Sequence, residues 1–278
     1  MAALIDAGAG RLPAAAIRFA DAISRRWLER HRSPQLGELD RIAALLGRPG
    51  AYYLNVSYEW GCTTAAAPAP DGSGLRLLRV LDWPDPGLGR HVAAFRVASP
   101  LGRWVALGWP GYCGVLQAVA PGRFAAALNQ APLDRRTGVY ALDWMAGRAE
   151  VWRRPHPTAS WLLRRVFETA GDYATAKALL RDSPIAAGAI FTLVGTQDDE
   201  SCVIERRPEA AHVLEGPEAA ANVWRAPGWR GRARGEANAE RLEAIRGAAG
   251  DLDPAFGWLR PPVLNETTRL AFAADPRS

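Results

Sequence analysis

Between residues 54 and 130 the chain repeats one pattern, short runs of apolar and β-prone residues cut off by turns. LNVSYEW, CTTAAA, LRLLRVLDW, HVAAFRVAS, RWVALGW, GVLQAVA and RFAAALNQ each have the length and composition of a strand. The breaks between them include DGSG at 71–74, SPLG at 99–102 and PG at 121–122. Helical spacing returns at 160–168 and 173–180. Two further strands are expected at 189–195 and 201–206, joined by the QDDE turn, and a last helix from Glu236 to Arg246. Ahead of the strands, Pro13 can open a helix through AAAIRFADAISRRWLERH, where Ile17, Ala20, Ile23 and Trp27 form an apolar stripe. A second helix spans 36–46 and is stopped by Gly47 and Pro49. Hairpins interrupted by a helix pair imply an α+β fold, antiparallel sheet with helical cover. There is no linker and no repeat, so residues 1–278 are expected to form one domain.

At 278 residues, 49% apolar and 23% charged, the chain can bury a sizeable core and is not a disordered polymer. The net charge of +5 comes from arginine, Lys177 being the only lysine. The densest cluster, WRAPGWRGRAR at 224–234, is read as a solvated basic loop, since no nucleic-acid module surrounds it. No nucleic-acid partner is expected. The basic face of the first helix would suit a membrane surface, but packing against a sheet is the favoured reading. Three cysteines, Cys62, Cys113 and Cys202, have no Cys-x-x-Cys spacing, and four scattered histidines add no metal signature. There is no charged leader followed by a continuous apolar stretch, which sets the expectation of a cytoplasmic protein.

Within NVSYEWGCTT at 55–64, Cys62 can be read as a buried strand residue, a metal ligand or a nucleophile. Arg79 and Asp82 place charges in an otherwise apolar segment, and the DGSG turn folds them back toward Cys62. An arginine beside a thiol favours the thiolate, and a carboxylate can hold the arginine or orient an amine. No histidine is a natural partner, because His91 and His156 lie in turn-like surroundings. A nucleophilic Cys62 therefore lacks a base.

Asn-x-x-Tyr-Glu-aromatic-x-Cys-Thr-(Ser/Thr), followed by Arg-x-x-Asp-aromatic, resembles the acid ceramidase and N-acylethanolamine amidase family of N-terminal nucleophile hydrolases, within the wider choloylglycine-hydrolase-like group. The matching residues are Asn55, Tyr58, Glu59, Trp60, Cys62, Thr63, Thr64, Arg79, Asp82 and Trp83. The similarity runs on through GWPGYCGVLQAVAPGRFAAALNQAP, ending near Asn129, then the hairpin at 191–195, Asn222 and Arg241. The resemblance implies a four-layer αββα sandwich, no cofactor, and a precursor that cuts itself between Gly61 and Cys62. Residues 1–61 would become an α-chain that stays associated with a catalytic β-chain, 62–278. The new α-amine of Cys62 would then be the missing base. The resemblance further implies that Cys62 is the nucleophile and that Asn222 with Asn129 donates to an oxyanion. Arg79 would steady the thiolate, Asp82 would bind the α-amine, and Arg241 would complete the network. The implied substrate is a small-molecule linear amide with an apolar acyl group, with Trp60, Trp83, Trp109 and Trp144 as candidate walls. Acyl transfer of the isopenicillin-processing type, a non-catalytic scaffold and a homo-oligomer stay open. Leu78, Val80, Thr64 and Asn238 stand where relatives often carry glycine, asparagine, serine and serine.

Overall fold

The computed structural model describes residues 2, 5–6, 12–56, 60–85 and 87–278, so Tyr58 and Glu59 of the motif lie outside the described residues. Two antiparallel sheets face each other. The smaller is built from β1 (Gly61–Pro68), β2 (Leu75–Asp82), β10 (Ala219–Ala220) and β11 (Thr268–Ala274), in the order β10-β1-β2-β11. The larger runs β3-β4-β5-β6-β7-β8-β9, with β3 Ala93–Ser99, β4 Gly102–Gly108, β5 Gln117–Ala120, β6 Phe124–Gln130, β7 Ala189–Gly195, β8 Ser201–Arg207 and β9 Ala210–Glu215. Helices α5 (Ala159–Thr169) and α6 (Tyr173–Asp182) cover the outer face of the larger sheet, and α7 (Asn238–Arg246) covers the smaller. This is the αββα sandwich that the sequence led us to expect.

Burial along each strand follows from that layering. In β1, GCTTAAAP is buried at every position but Pro68, and FAAALNQ in β6 is buried up to Asn129. Each is covered on both faces, by the opposite sheet and by a helix, so neither alternates apolar with polar residues. The edge strand β3 alternates partly buried with exposed residues, as one-sided cover requires. Two buried arginines tie the larger sheet to its helices. Arg123 Nη1 donates to Ala170 O at 2.8 Å and Phe167 O at 3.3 Å, at the C-terminus of α5. Arg206 donates to Leu180 O and, at 2.9 Å, to Ser183 O at the C-terminus of α6. A guanidinium there satisfies carbonyls the helix leaves unpaired and meets the negative end of its dipole.

The N-terminal part departs from expectation in two places. Residues 51–56 form helix α3 (Ala51–Val56), not the start of a strand at 54. The cause is tertiary: Oδ1 of buried Asp21 accepts the backbone N–H groups of Tyr52 and Tyr53, both at 2.9 Å, and so caps the helix from another element. Asp21 lies on α1 (Ala14–Arg30), whose buried face is Asp21, Ser24, Trp27 and Leu28. Ile23 of the expected stripe is exposed. Nor does α1 lie on a sheet. It packs with α2 (Leu36–Leu46) and α3, and Trp27 Nε1 donates to Val151 O on α4 (Tyr140–Arg153) at 3.1 Å. Asp21→Ala leaves two helix-capping donors unmet and is expected to cost about 1–2 kcal/mol, read by urea denaturation. Helix α4 and strands β9, β10 and β11 went unrecognised in the sequence.

Candidate active site

The hairpin β1–β2 sets the site. Its register pairs Gly61 with Asp82, Cys62 with Leu81 and Thr64 with Arg79. Arg79 thus sits diagonally from Cys62 on one face of the hairpin, within reach of a long side chain. Its Nη2 lies 3.0 Å from Cys62 Sγ and also donates to Leu128 O at 3.0 Å. Its Nη1 donates to Gln117 Oε1 at 2.7 Å, and Gln117 Nε2 is in turn fixed on Leu107 O at 2.5 Å. Arg79 is wholly buried, and the partners of its two terminal nitrogens are a carbonyl, an amide oxygen and the sulfur. No carboxylate is among them. A buried cation without a counter-ion stabilises any anion formed beside it, and the atom so placed is Sγ.

Cys62 is also fully buried, and burial raises its thiol pKa above the ordinary range, with Arg79 pulling the other way. Cys113 and Cys202 are buried as well, the latter pushed up to about 11 by burial. At neutral pH all three are protonated and shielded. Iodoacetamide at pH 7.5 is therefore expected to label the folded, uncut chain hardly at all and all three thiols in denaturant, as counted by mass.

On the other side of the Gly61–Cys62 peptide a second polar network forms. Cys62 N donates to Asn222 Oδ1 at 2.6 Å, and Asn222 Nδ2 donates to Gln130 O at 2.7 Å. Asn222 N donates to Asn238 Oδ1 at 2.9 Å, which also accepts from Arg241 Nη2 at 3.0 Å. Arg241 Nη1 meets Asp82 Oδ2 at 2.6 Å, and both side chains are buried. Asp82 Oδ1 accepts from Thr268 Oγ1 at 2.9 Å and Asn265 Nδ2 at 3.2 Å. Gly61 runs beside this pair, and a Cβ there would come 3.3 Å from Asp82 Cβ. Gly235, at φ +67°, lets its loop pass equally close, where a Cβ would stand 3.4 Å from Gly61 Cα.

Of the expected site residues, Cys62, Arg79, Asp82, Asn222 and Arg241 thus converge on the Gly61–Cys62 peptide. In the uncut chain Cys62 N donates to Asn222 Oδ1, while Asp82 is engaged by Arg241, Asn265 and Thr268. Asn129 stands farther along β1, where its Nδ2 donates to Thr64 Oγ1 at 3.2 Å and Ala220 O at 3.1 Å. Gln117, Asn238 and Asn265 were not recognised as site residues. Only Asn238 carried a signal, its spacing of three from Arg241 on one helix. Trp60, Trp83 and Trp109 form a buried chain of rings, 5.6 and 6.0 Å between successive centroids. Trp144 stands on α4 beneath Arg148. A cavity of about 630 Å³ opens over Gly61, walled by Trp60, Asp82, Arg241, Pro262, Leu264 and Asn265 among others.

No family model matches the chain. Human acid ceramidase is 36% identical over 107 residues, which is 38% of this chain and 26% of that protein. Acid ceramidase of Heterocephalus glaber is 34% identical over 114 residues, 40% of this chain and 27% of its own length. The solved structure of the Caenorhabditis elegans ortholog of N-acylethanolamine-hydrolyzing acid amidase superposes with a TM-score of 0.59. It is 21% identical and covers 78% of this chain and 94% of that one. The chain is similar to acid ceramidase over the matched segment and shares the αββα fold of the amidase structure. The chain spans about a quarter of the length of the curated proteins it matches, 26% for the human one. Among its described residues no helix is long and apolar enough to cross a membrane.

Proposed function

We propose that the chain is a precursor that cuts its own Gly61–Cys62 bond and then acts as a cysteine amidase on a small linear N-acyl amide. The observation that carries the reading is the pairing of Cys62 Sγ with Arg79 Nη2 at 3.0 Å while Cys62 N is held by Asn222 Oδ1 at 2.6 Å. Nucleophile and future amine belong to one residue, and each already has its partner.

In the first reaction the thiol adds to the Gly61 carbonyl, the C–N bond breaks, and the acyl group passes from N to S. Water then hydrolyses the thioester, giving a Gly61 carboxylate and a free Cys62 amine and thiol. Residues 1–61 become the α-chain and 62–278 the β-chain. The α-chain stays attached, since its Trp27, Leu28, Leu39 and Tyr52 share a buried cluster with Cys113, Trp161 and Ala186.

In turnover the freed amine takes the thiol proton, and Cys62 attacks the substrate carbonyl. Arg79 steadies the thiolate. Asn222 aims the amine through Oδ1, and Asp82 with Arg241 fixes Asn222 by way of Asn238. Collapse of the adduct expels the amine product after protonation, and water releases the acid from the S-acyl enzyme. Asn222 is the better placed oxyanion donor, with Nδ2 leaving Gln130 O to serve. Asn129 supports the inner face from Thr64. Trp60, Pro262 and Leu264 in the wall of the cavity over Gly61 support an apolar acyl group, with Trp83 and Trp109 packed behind Trp60.

Mass and N-terminal sequencing of purified protein test the cut, and amides of graded acyl length test the activity. Two fragments, one starting at Cys62, and release of free acid are expected. Acyl transfer to an added amine in preference to water would replace hydrolysis with transferase chemistry.

A further inference from the structure

The basic stretch at 224–234 is not a loop loose in solvent. Buried Glu205 anchors its start, its two oxygens accepting Arg225 N and Ala226 N, each at 2.7 Å. Arg225 pairs with Glu218, Arg232 donates to Gly138 O at 2.8 Å, and Arg234 Nε donates to Ala131 O at 2.8 Å. Trp224 and Trp229 meet edge to face with centroids 5.0 Å apart, and the Arg207 guanidinium sits 4.9 Å from the Trp229 centroid and 5.8 Å from that of Trp224. The loop is a built wall.

Opposite it runs 132–138, joined by the backbone bridge between Leu133 and Arg232. The two segments enclose a cavity of about 610 Å³ whose walls include Arg135, Arg136, Arg230, Thr137, Trp224 and Trp229 and no carboxylate. Of the three arginines, Arg136 is neutralised by Glu150 at 2.5 Å. The exposed side chains of Arg135 and Arg230 have no ion pair or hydrogen bond among the described residues, although Arg230 O accepts from Arg207 Nη2 at 2.9 Å. Trp224 adds a buried indole N–H that has no acceptor there either. A surface hollow lined by cations attracts anions, and guanidinium forks match the oxygens of carboxylate and phosphate.

We propose that this cavity binds a small organic oxyanion, a carboxylate or phosphate monoester on a planar apolar body. Arg135 and Arg230 grip the head group, and the tryptophan wall takes the body. The cavity shares the Ala233 wall with the one over Gly61 but is separate from it, so the proposal does not depend on amidase activity.

Phenyl phosphate and benzoate are suitable probes, with benzyl alcohol as the neutral control. Each is titrated into the Cys62→Ala chain by calorimetry, so that binding is read on a single uncut species. Saturable one-to-one binding of at least one anion is expected, weakening with salt. Arg135→Gln/Arg230→Gln should loosen it about tenfold or more, which is 1.4 kcal/mol or more, whereas Arg181→Gln, at an exposed pair with Asp182, should leave it unchanged. Trp229→Leu should weaken both anions. Three outcomes would overturn the proposal: no saturable binding of either anion, equal binding of benzyl alcohol, or undiminished affinity in a double variant that melts like its parent.

Discussion

Cys62→Ala is expected to yield a single full-length species of about 30.0 kDa at every pH tested, with no amide hydrolysis above the uncatalysed rate. The thiol is the only proposed nucleophile, and its removal costs the fold little because a small residue stays in a buried strand. Arg79→Met is the more informative partner. It should slow the cut by a factor on the order of 10² to 10³, the scale for losing one group that stabilises developing charge. The substitution removes a buried cation without a carboxylate partner, so the fold should survive it. Gln117 Oε1 loses its donor, a penalty of about 1–3 kcal/mol, offset in part by the relief of burying that charge. A chain that stays folded by circular dichroism and uncut by mass is the expected result. Unchanged cleavage in Arg79→Met would remove the argument for a steadied thiolate.

Asp82→Asn should have the largest effect on stability. The amide keeps the shape and leaves an oxygen for Asn265 and Thr268, but it strands Arg241, whose side chain is 2% exposed. Breaking a buried pair from one side costs about 3–5 kcal/mol, because the orphaned charge stays in a low dielectric. Urea denaturation in the Cys62→Ala background reads this on one uncut species. Asp82→Asn/Arg241→Gln should then recover part of the loss, since no lone charge remains, although the pair stays absent. Additive losses would mean that the two residues act independently, which a separation of 2.6 Å argues against.

What could be read in the sequence followed how local each signal was. The β1–β2 hairpin was legible because the DGSG turn and its flanking apolar runs lie within twenty-two residues of one another, and it brought Arg79 to Cys62 as expected. Helix α3 was not, since it depends on a cap from Asp21, thirty-one residues away, and its own residues suit a strand equally well. The stripe on α1 was misjudged for a related reason. Asp21 and Ser24 are polar, so no hydrophobic count places them inside. Ser24 is buried because its hydroxyl donates to Ala20 O at 2.8 Å. In the site, charged residues in apolar surroundings stood out, whereas amides did not. Gln117 and Asn265 look like any polar residue in a turn or strand until the fold shows what they touch. Asn222 was recognised as an oxyanion donor, but its hold on Cys62 N was not foreseen. Its oxygen holds Cys62 N, and its nitrogen is occupied by Gln130.

The partners of Asp82 also govern when the site can exist. Arg241, Asn265 and Thr268 lie 159, 183 and 186 residues further along the chain, and β11 closes the smaller sheet beside β2 only once it has been made. At a synthesis speed on the order of 10 residues per second, the Gly61–Cys62 peptide leaves the ribosome many seconds before its charged network is complete. For the proposed cut, translation itself would act as a timer. On the proposed reading, the bond stays safe on the nascent chain and becomes open to attack only when β11 has docked beside β2.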